Sequence, residues 1–279
     1  MFDEPGLRYA HQAMRTTFEF FFPGPDTSRY QGIAEDCANE IAEIELAISP
    51  YQEGSDIQRL NIAAGSGEWV RIGWPTLTLL RMCHSLNLET SGTFAPFDGL
   101  RTMRLSGKVL DPITNHLVEQ ASLRVNGNVQ PIEFHPDGPM ARLATTTLID
   151  LGAIGKGWAL DKCAEMAFDV GVDRAFFHAG GSSMIAIGEN WPVSIPGLLE
   201  DVSLSNTSLS VSRRINPDAG GVHIATSSQS DDSADVVARV IGPSCAITDA
   251  LSTAAISGIL GSWTSFDGYD MRSIVVDNQ

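Results

Sequence analysis

Between Ser28 and Ile48 the apolar residues Ile33, Cys37, Ile41, Ile44 and Ile48 recur at every third or fourth position. That spacing places them on one stripe of a helix and turns Glu35, Asp36, Glu40 and Glu43 toward water. Just before it, Thr17–Phe22 is rich in Thr and Phe and ends at Pro23-Gly24-Pro25, which predicts a strand and its stop. A shorter helix is predicted from Pro75, a favoured first position, to just before Gly92, with Leu79, Leu80, Cys83 and Leu86 on its buried side. The stretch 101–150 alternates polar and apolar residues and is broken by Asn-Gly and Pro-Asp-Gly turns, so it is predicted to form strands, Ala144–Asp150 among them. Gly155–Val170 then predicts a helix closed by Gly171, with Trp158, Cys163, Met166 and Ala167 as apolar contributors. Strands are predicted at Arg174–Phe177, Met184–Ile187, Trp191–Ile195 and Arg272–Val276, and a last helix at Asp249–Leu260. Strands and helices mix without a βαβ rhythm. The class expected is therefore α+β, with mixed or antiparallel sheets and packed helices. No linker divides the chain, and residues 1–279 are expected to form a single domain, one compact unit of two close lobes.

Composition narrows the partners. With 279 residues, 43% of them hydrophobic, the chain can bury a sizeable core. A net charge of -16 argues against nucleic acid or anionic membranes as partners. An acidic protein that binds a phosphate compound needs backbone N–H groups, local cations or a metal to offset its own charge. No apolar run approaches the roughly 20 residues of a transmembrane segment. Met1-Phe2-Asp3-Glu4-Pro5 has neither the basic start nor the apolar stretch of a signal peptide. Cys37, Cys83, Cys163 and Cys245 are scattered and are read as buried thiols. A cytoplasmic location is expected as the sequence stands, and a periplasmic or membrane-anchored one if a leader has been removed.

Three segments carry candidate chemistry. In Asp150-Leu151-Gly152-Ala153-Ile154-Gly155-Lys156-Gly157 a strand ends in an acid, glycines permit a tight turn and a helix begins. Such a junction can hold a phosphate against helix N–H groups, with Lys156 supplying charge, although a plain strand-to-helix turn has the same spacing. It is neither a Walker loop nor G-x-G-x-x-G. In Thr248-Asp249-Ala250-Leu251-Ser252-Thr253, Asp249 and Thr253 lie four apart, so both oxygens project from one face of the first helical turn. A carboxylate and a hydroxyl there suit a hard cation such as Mg²⁺. The plainer alternative is an N-cap built on Thr248 or Asp249. Ala179-Gly180-Gly181-Ser182-Ser183 marks either close backbone approach to a ligand or a bulge. His223 lies between Val222 and Ile224, a setting in which histidine is more often structural than catalytic.

In this order the pieces resemble the ApbE family, the FAD:protein FMN transferases, over nearly the whole chain. Ala13-Met14-Arg15-Thr16 resembles the family's opening Met-Gly-Thr segment. Ser49–Asn61 is similar to its Ser-x-Tyr…Ser-x-Ile…Leu-Asn stretch, and Gly92-Thr93-Phe94 to its Gly-Ala-Phe-Asp. Asp150–Gly157 is close to Asp-Leu-Gly-Gly-Ile-Ala-Lys-Gly, the most specific match. Gly180-Gly181 followed by Trp191 fits the next block, and Asp249–Thr253 fits Asp-Ala-Leu-Ala-Thr.

The resemblance implies a protein that binds FAD, uses a divalent cation such as Mg²⁺ to cleave its pyrophosphate, and passes FMN to a threonine of an acceptor protein. It implies Asp249, Thr253 and the main-chain oxygen of Ala153 as metal ligands. It places Met14, Tyr51, Thr93, Phe94, Ala95, Asp150, Lys156 and Ile224 against FAD, and His223 in a catalytic position. The chain departs from the family pattern in four places. Arg15 replaces a glycine, Ala95 stands where Asp is usual, and His178 precedes the Gly-Gly in place of Asn. The His-Ile-Ile-Asp-Pro…Thr-Gly motif is reduced to His223-Ile224. These departures keep two rivals in view: a metal-dependent FAD pyrophosphatase that releases FMN and AMP, and an FAD-binding homologue without catalysis.

Overall fold

The computed structural model describes residues 4–25, 27–99, 131–144, 147–195, 201–214, 235–257 and 266–276. Its centre is a seven-stranded sheet in the order β1 (Gly6–Ala13), β2 (Thr16–Pro23), β6 (Ala175–Ala179), β7 (Ser183–Ile187), β10 (Thr207–Arg214), β11 (Asp235–Gly242) and β12 (Asp270–Val276). Every neighbouring pair in it is antiparallel. A smaller sheet has the order β3 (Val70–Arg71), β5 (Met140–Leu143) and β4 (Ile132–Phe134), and β8 (Trp191–Ser194) pairs with β9 (Asp201–Leu204) as a hairpin. Five helices accompany them among the described residues: α1 (Ser28–Ile48), α2 (Asp56–Ile62), α3 (Trp74–Glu89), α4 (Gly155–Asp169) and α5 (Cys245–Ser257). The class is α+β, as the mixed element order predicts.

Alternation along the strands decides what each sheet face covers. Phe18, Phe20, Phe22, Phe177 and Ile185 pack in one cluster with Ile33, Cys37 and Ile41 of α1 and with Leu160 and Cys163 of α4. Their strand neighbours Phe21, Phe176, Met184, Leu209 and Val211 point the other way, onto Trp191, Val193 and Leu204 of the β8–β9 hairpin. Further along the sheet, Val236 and Ala238 meet Ala255 and Ile256 of α5. The first cluster also takes in Leu60 of α2, Leu79, Leu80, Cys83 and Leu86 of α3, and Ile132, Ala141 and Leu143 of the small sheet. All four cysteines are buried, free thiols. Cys37 and Cys163 face one another between α1 and α4, each Sγ against the other's carbonyl oxygen at 3.7 and 3.6 Å. Among the described residues no helix is long and apolar enough to cross a membrane.

Long periodic elements lie where the pattern predicts. α1 has the expected bounds, and Pro75 sits in the first turn of α3. The Pro136-Asp137-Gly138 turn joins β4 to β5. Two expectations are corrected. Among its described residues, Ala144–Asp150 is not a strand, and its one ladder contact is an isolated bridge from Leu148 to Asp98. Side-chain and loop partners take the backbone groups a ladder would need: Asn61 holds both the N–H and the carbonyl of Ile149, and the Asp150 N–H goes to Pro96. The last helix begins at Cys245, four residues before the predicted Asp249; its predicted end, Leu260, lies outside the described residues. α2 and β1 carry too little periodicity to have been predicted.

Candidate active site

The early start of α5 has a tertiary cause. Asp161 of α4 accepts hydrogen bonds from Ser244 Oγ (2.8 Å), Cys245 N (2.7 Å) and Ala246 N (2.9 Å). It thereby caps a helix remote from it in sequence, where the N-terminal dipole favours a carboxylate. Burial raises its pKa, and the three donors pull in the opposite direction. Asp161→Ala leaves those donors without their acceptor and is expected to cost about 2 kcal/mol. Urea unfolding monitored by circular dichroism measures that loss; a midpoint equal to the parent's means that the cap does not hold α5.

One turn earlier on α4 the two helices touch backbone to backbone. A Cβ on Gly157 would lie 2.2 Å from the carbonyl oxygen of Cys245. This approach brings the two candidate segments together at Asp249, which is 3% exposed. Its Oδ2 accepts from Gly157 N (3.2 Å) and Lys156 Nζ (3.4 Å), and its Oδ1 from Ser183 Oγ (3.0 Å). A buried carboxylate is tolerable only when paired and hydrogen-bonded, and here both oxygens are engaged.

One reading is corrected as a result: neither Thr248 nor Asp249 is an N-cap, because the helix starts at Cys245. At the start of α4, Gly157 N and Lys156 Nζ meet the protein's own Asp249. Thr248 lies inside the helix, its hydroxyl on Cys245 O (3.0 Å) and beside Ser210 Oγ (2.9 Å). Asp249 and Thr253 belong to the second and third turns and still share a face. Thr253 is partly buried, its Oγ1 3.4 Å from Ser212 Oγ. Ala153 is in the turn entering α4, where the N–H groups of Ile154 and Gly155 both reach Leu151 O. Asp150 accepts from Gly152 N at 2.9 Å.

Other candidate residues are tied to this centre through short links. Met14 and Arg15 form the β1–β2 turn in left-handed conformations, with φ of 49° and 62°, and Met14 N donates to Glu45 Oε1 at 2.7 Å. The same end of α1 abuts the start of α4, because Ile48 Cδ1 lies 3.0 Å from where a Cβ on Gly155 would be. Tyr51 lies three residues beyond the end of α1, with its N–H 3.3 Å from Ser49 Oγ. The Thr93-Phe94-Ala95 loop is held by Thr90 Oγ1, which accepts from Phe94 N, and by Asn87, which donates to Phe94 O. Phe94 is core, whereas Thr93 is half-buried and Ala95 exposed. Pro96 of this loop then accepts from Asp150 N. Gly180, at φ 57°, lies so close to Thr16 that a Cβ would fall 2.3 Å from its Oγ1. His223 and Ile224 lie outside the described residues.

Reasoning from the sequence missed Asn61, Asp161 and Ser183 as separate contributors. Asn61 is 3% exposed, and a buried Asn at the end of a short helix signals a backbone to be bonded. Ser183 opens the otherwise apolar strand Ser183–Ile187, so its hydroxyl needs a partner in the core.

His178, next to the Gly-Gly, titrates abnormally. Burial lowers its pKa, partly opposed by Glu19, whose Oε2 is 2.9 Å from Nε2. A depressed folded pKa means that protons bind the unfolded chain more readily. The stability contribution of the neutral ring is therefore complete above about 6.5 and lost as the pH falls below it. Stability measured from pH 7 down to 5 is expected to decline less steeply in His178→Asn. Parallel curves for the two proteins would assign the decline to other groups.

The ApbE family model matches residues 14–261. No curated protein sequence matches the chain. Among solved structures, the ApbE protein of Thermotoga maritima superposes with a TM-score of 0.70 at 18% identity, covering 91% of this chain and 87% of that one. The apo flavinyl transferase ApbE of Pseudomonas stutzeri gives a TM-score of 0.71 at 18% identity, over 92% and 87% of the two chains. The flavin transferase ApbE of Vibrio cholerae gives 0.64 at 18% identity, over 96% and 97%. The family model spans the Met14 turn, the Asp150–Gly157 entry to α4 and the Asp249–Thr253 face of α5 in one continuous match, and on that ground the chain belongs to the ApbE family.

Proposed function

We propose that this chain is a flavin transferase that cleaves FAD with the help of a divalent cation and passes FMN to a threonine hydroxyl of an acceptor protein. The observation that carries the reading is the convergence of Lys156, Gly157 and Asp249 at the contact of α4 with α5. Family membership and the flavin transferases among the similar structures support it.

The donors suit the cation. No group of three or more His, Cys, Asp or Glu side chains that could hold a metal occurs among the described residues. The ligand set in this reading is instead a carboxylate (Asp249), a hydroxyl (Thr253) and a main-chain carbonyl (Ala153), all oxygen and appropriate to a hard ion such as Mg²⁺ that also keeps phosphate or water ligands. When bound, the cation neutralises charge on the pyrophosphate and on the departing AMP. Lys156 is the local cation that an acidic protein needs to admit a dinucleotide, and Asp150, Met14 and Thr93 are further FAD contacts in this reading. In the transfer the threonine oxygen bonds to the FMN phosphorus and the P–O bond to AMP breaks. His223 is the candidate acceptor for the threonine proton.

The test is incubation with FAD and Mg²⁺, with and without EDTA, beside a threonine-bearing acceptor peptide. Metal-dependent AMP and a peptide heavier by FMN are expected. AMP with free FMN alone would select hydrolysis, and intact FAD with every metal would leave a flavin-binding protein.

A further inference from the structure

Ser183 is fully buried at the start of β7, with Ser182 between it and the two left-handed glycines that turn the chain out of β6. It pairs with Ala179 on one side and Ser210 on the other, and it shares its sheet face with Ile185, which packs in the helix-side core. On that face its hydroxyl donates to Asp249 Oδ1 at 3.0 Å. The hydroxyl of Ser182 backs it at 3.4 Å and itself reaches Ala179 O at 3.3 Å.

The Asp249 carboxylate needs such a partner. The second side-chain torsion of an aspartate is broad and roughly two-fold, so rotamer preference does not orient its plane. Gly157 N and Lys156 both act on Oδ2. Both contacts are long, at 3.2 and 3.4 Å, and so hold that torsion only loosely. The hydroxyl of Ser183 adds a second point, on Oδ1.

We propose that Ser183 is a positioning residue that sets the plane of the Asp249 carboxylate and so tunes the affinity of the site for a divalent cation; this rests on the metal site proposed above. Partners that orient a ligating group are worth about 10–100-fold in metal affinity.

The experiment is titration of the whole protein, without flavin, with Mn²⁺, following the free ion by electron paramagnetic resonance. Ser183→Ala is expected to weaken binding about tenfold, at the lower end of that range. Ser183→Thr, which keeps the hydroxyl, is expected to stay near the parent. Ser183→Cys keeps the volume but is a weak donor, and it is expected to resemble the alanine variant, so it decides the matter should that variant not fold. A thermal melt of each variant separates loss of affinity from loss of structure. Parent-like Mn²⁺ binding in both Ser183→Ala and Ser183→Cys, with Asp249→Ala weakened, overturns the role of Ser183 alone. Parent-like binding in Asp249→Ala, or none in the parent, overturns the metal site and this role with it.

Discussion

Asp249→Ala is expected to lower metal-dependent release of AMP from FAD by about 10³-fold, the rate equivalent of the several kcal/mol that a bound cation contributes to a phosphoryl transfer. The carboxylate is the one charged oxygen donor in the proposed ligand set, and it is also the acceptor for Gly157 N, Lys156 Nζ and Ser183 Oγ. Its removal therefore has a structural component. Two buried donors and an ammonium group lose their partner, at about 1–3 kcal/mol for each group left unsatisfied. Asp249→Asn separates the two effects, because the amide keeps the volume and one acceptor oxygen but not the charge. Melting near the parent temperature with turnover still lost places the effect in the chemistry. Turnover preserved in both variants, followed as AMP by chromatography, removes Asp249 from the site.

Gly157→Ala is expected to be the most destabilising single methyl group in this region. The added carbon would sit 2.2 Å from Cys245 O, 2.5 Å from Cys245 C and 2.8 Å from Ala246 Cα, all of them backbone atoms of α5. No side chain can swing aside, so the helices must separate. Overpacking of this kind costs about 1–3 kcal/mol or more and outweighs the ~1 kcal/mol that alanine gains over glycine in a helix. A net loss of about 2 kcal/mol corresponds to a melting point lower by roughly 4–8 °C. Separation also draws Lys156 and Gly157 away from Asp249, so activity should fall with stability. Gly155→Ala is the control two residues away. There the nearest atom is Ile48 Cδ1 at 3.0 Å, the tip of a flexible side chain, and the effect should be close to neutral. Equal melting points for Gly157→Ala and the parent, by calorimetry, contradict the backbone contact between α4 and α5.

The same contact explains how far the sequence could be read. Periodicity located α1 to its end residues, because a helix that buries one stripe repeats its apolar positions whatever it packs against. β2, α3, α4 and the strands from β6 to β8 were legible for the same reason: each pattern is local. The likeness to the ApbE family named the segments around Met14, Asp150 and Asp249, because those residues are identities in a string. What a string does not carry is which side chain ends which element. α5 starts at Cys245 because Asp161, 84 residues earlier, supplies its cap. Residues 147–150 are not strand because Asn61, 88 residues before Ile149, takes the hydrogen bonds that a ladder would use.

By itself, then, the sequence determined the α+β class, the main helices and the residue types of the proposed metal and phosphate site, since these depend on local spacing and on side-chain chemistry. The tertiary structure alone decided that Lys156, Gly157, Ser183 and Asp249 meet. That meeting depends on a glycine thin enough to let two helix backbones touch, and on a buried carboxylate that must gather its donors from wherever the fold brings them.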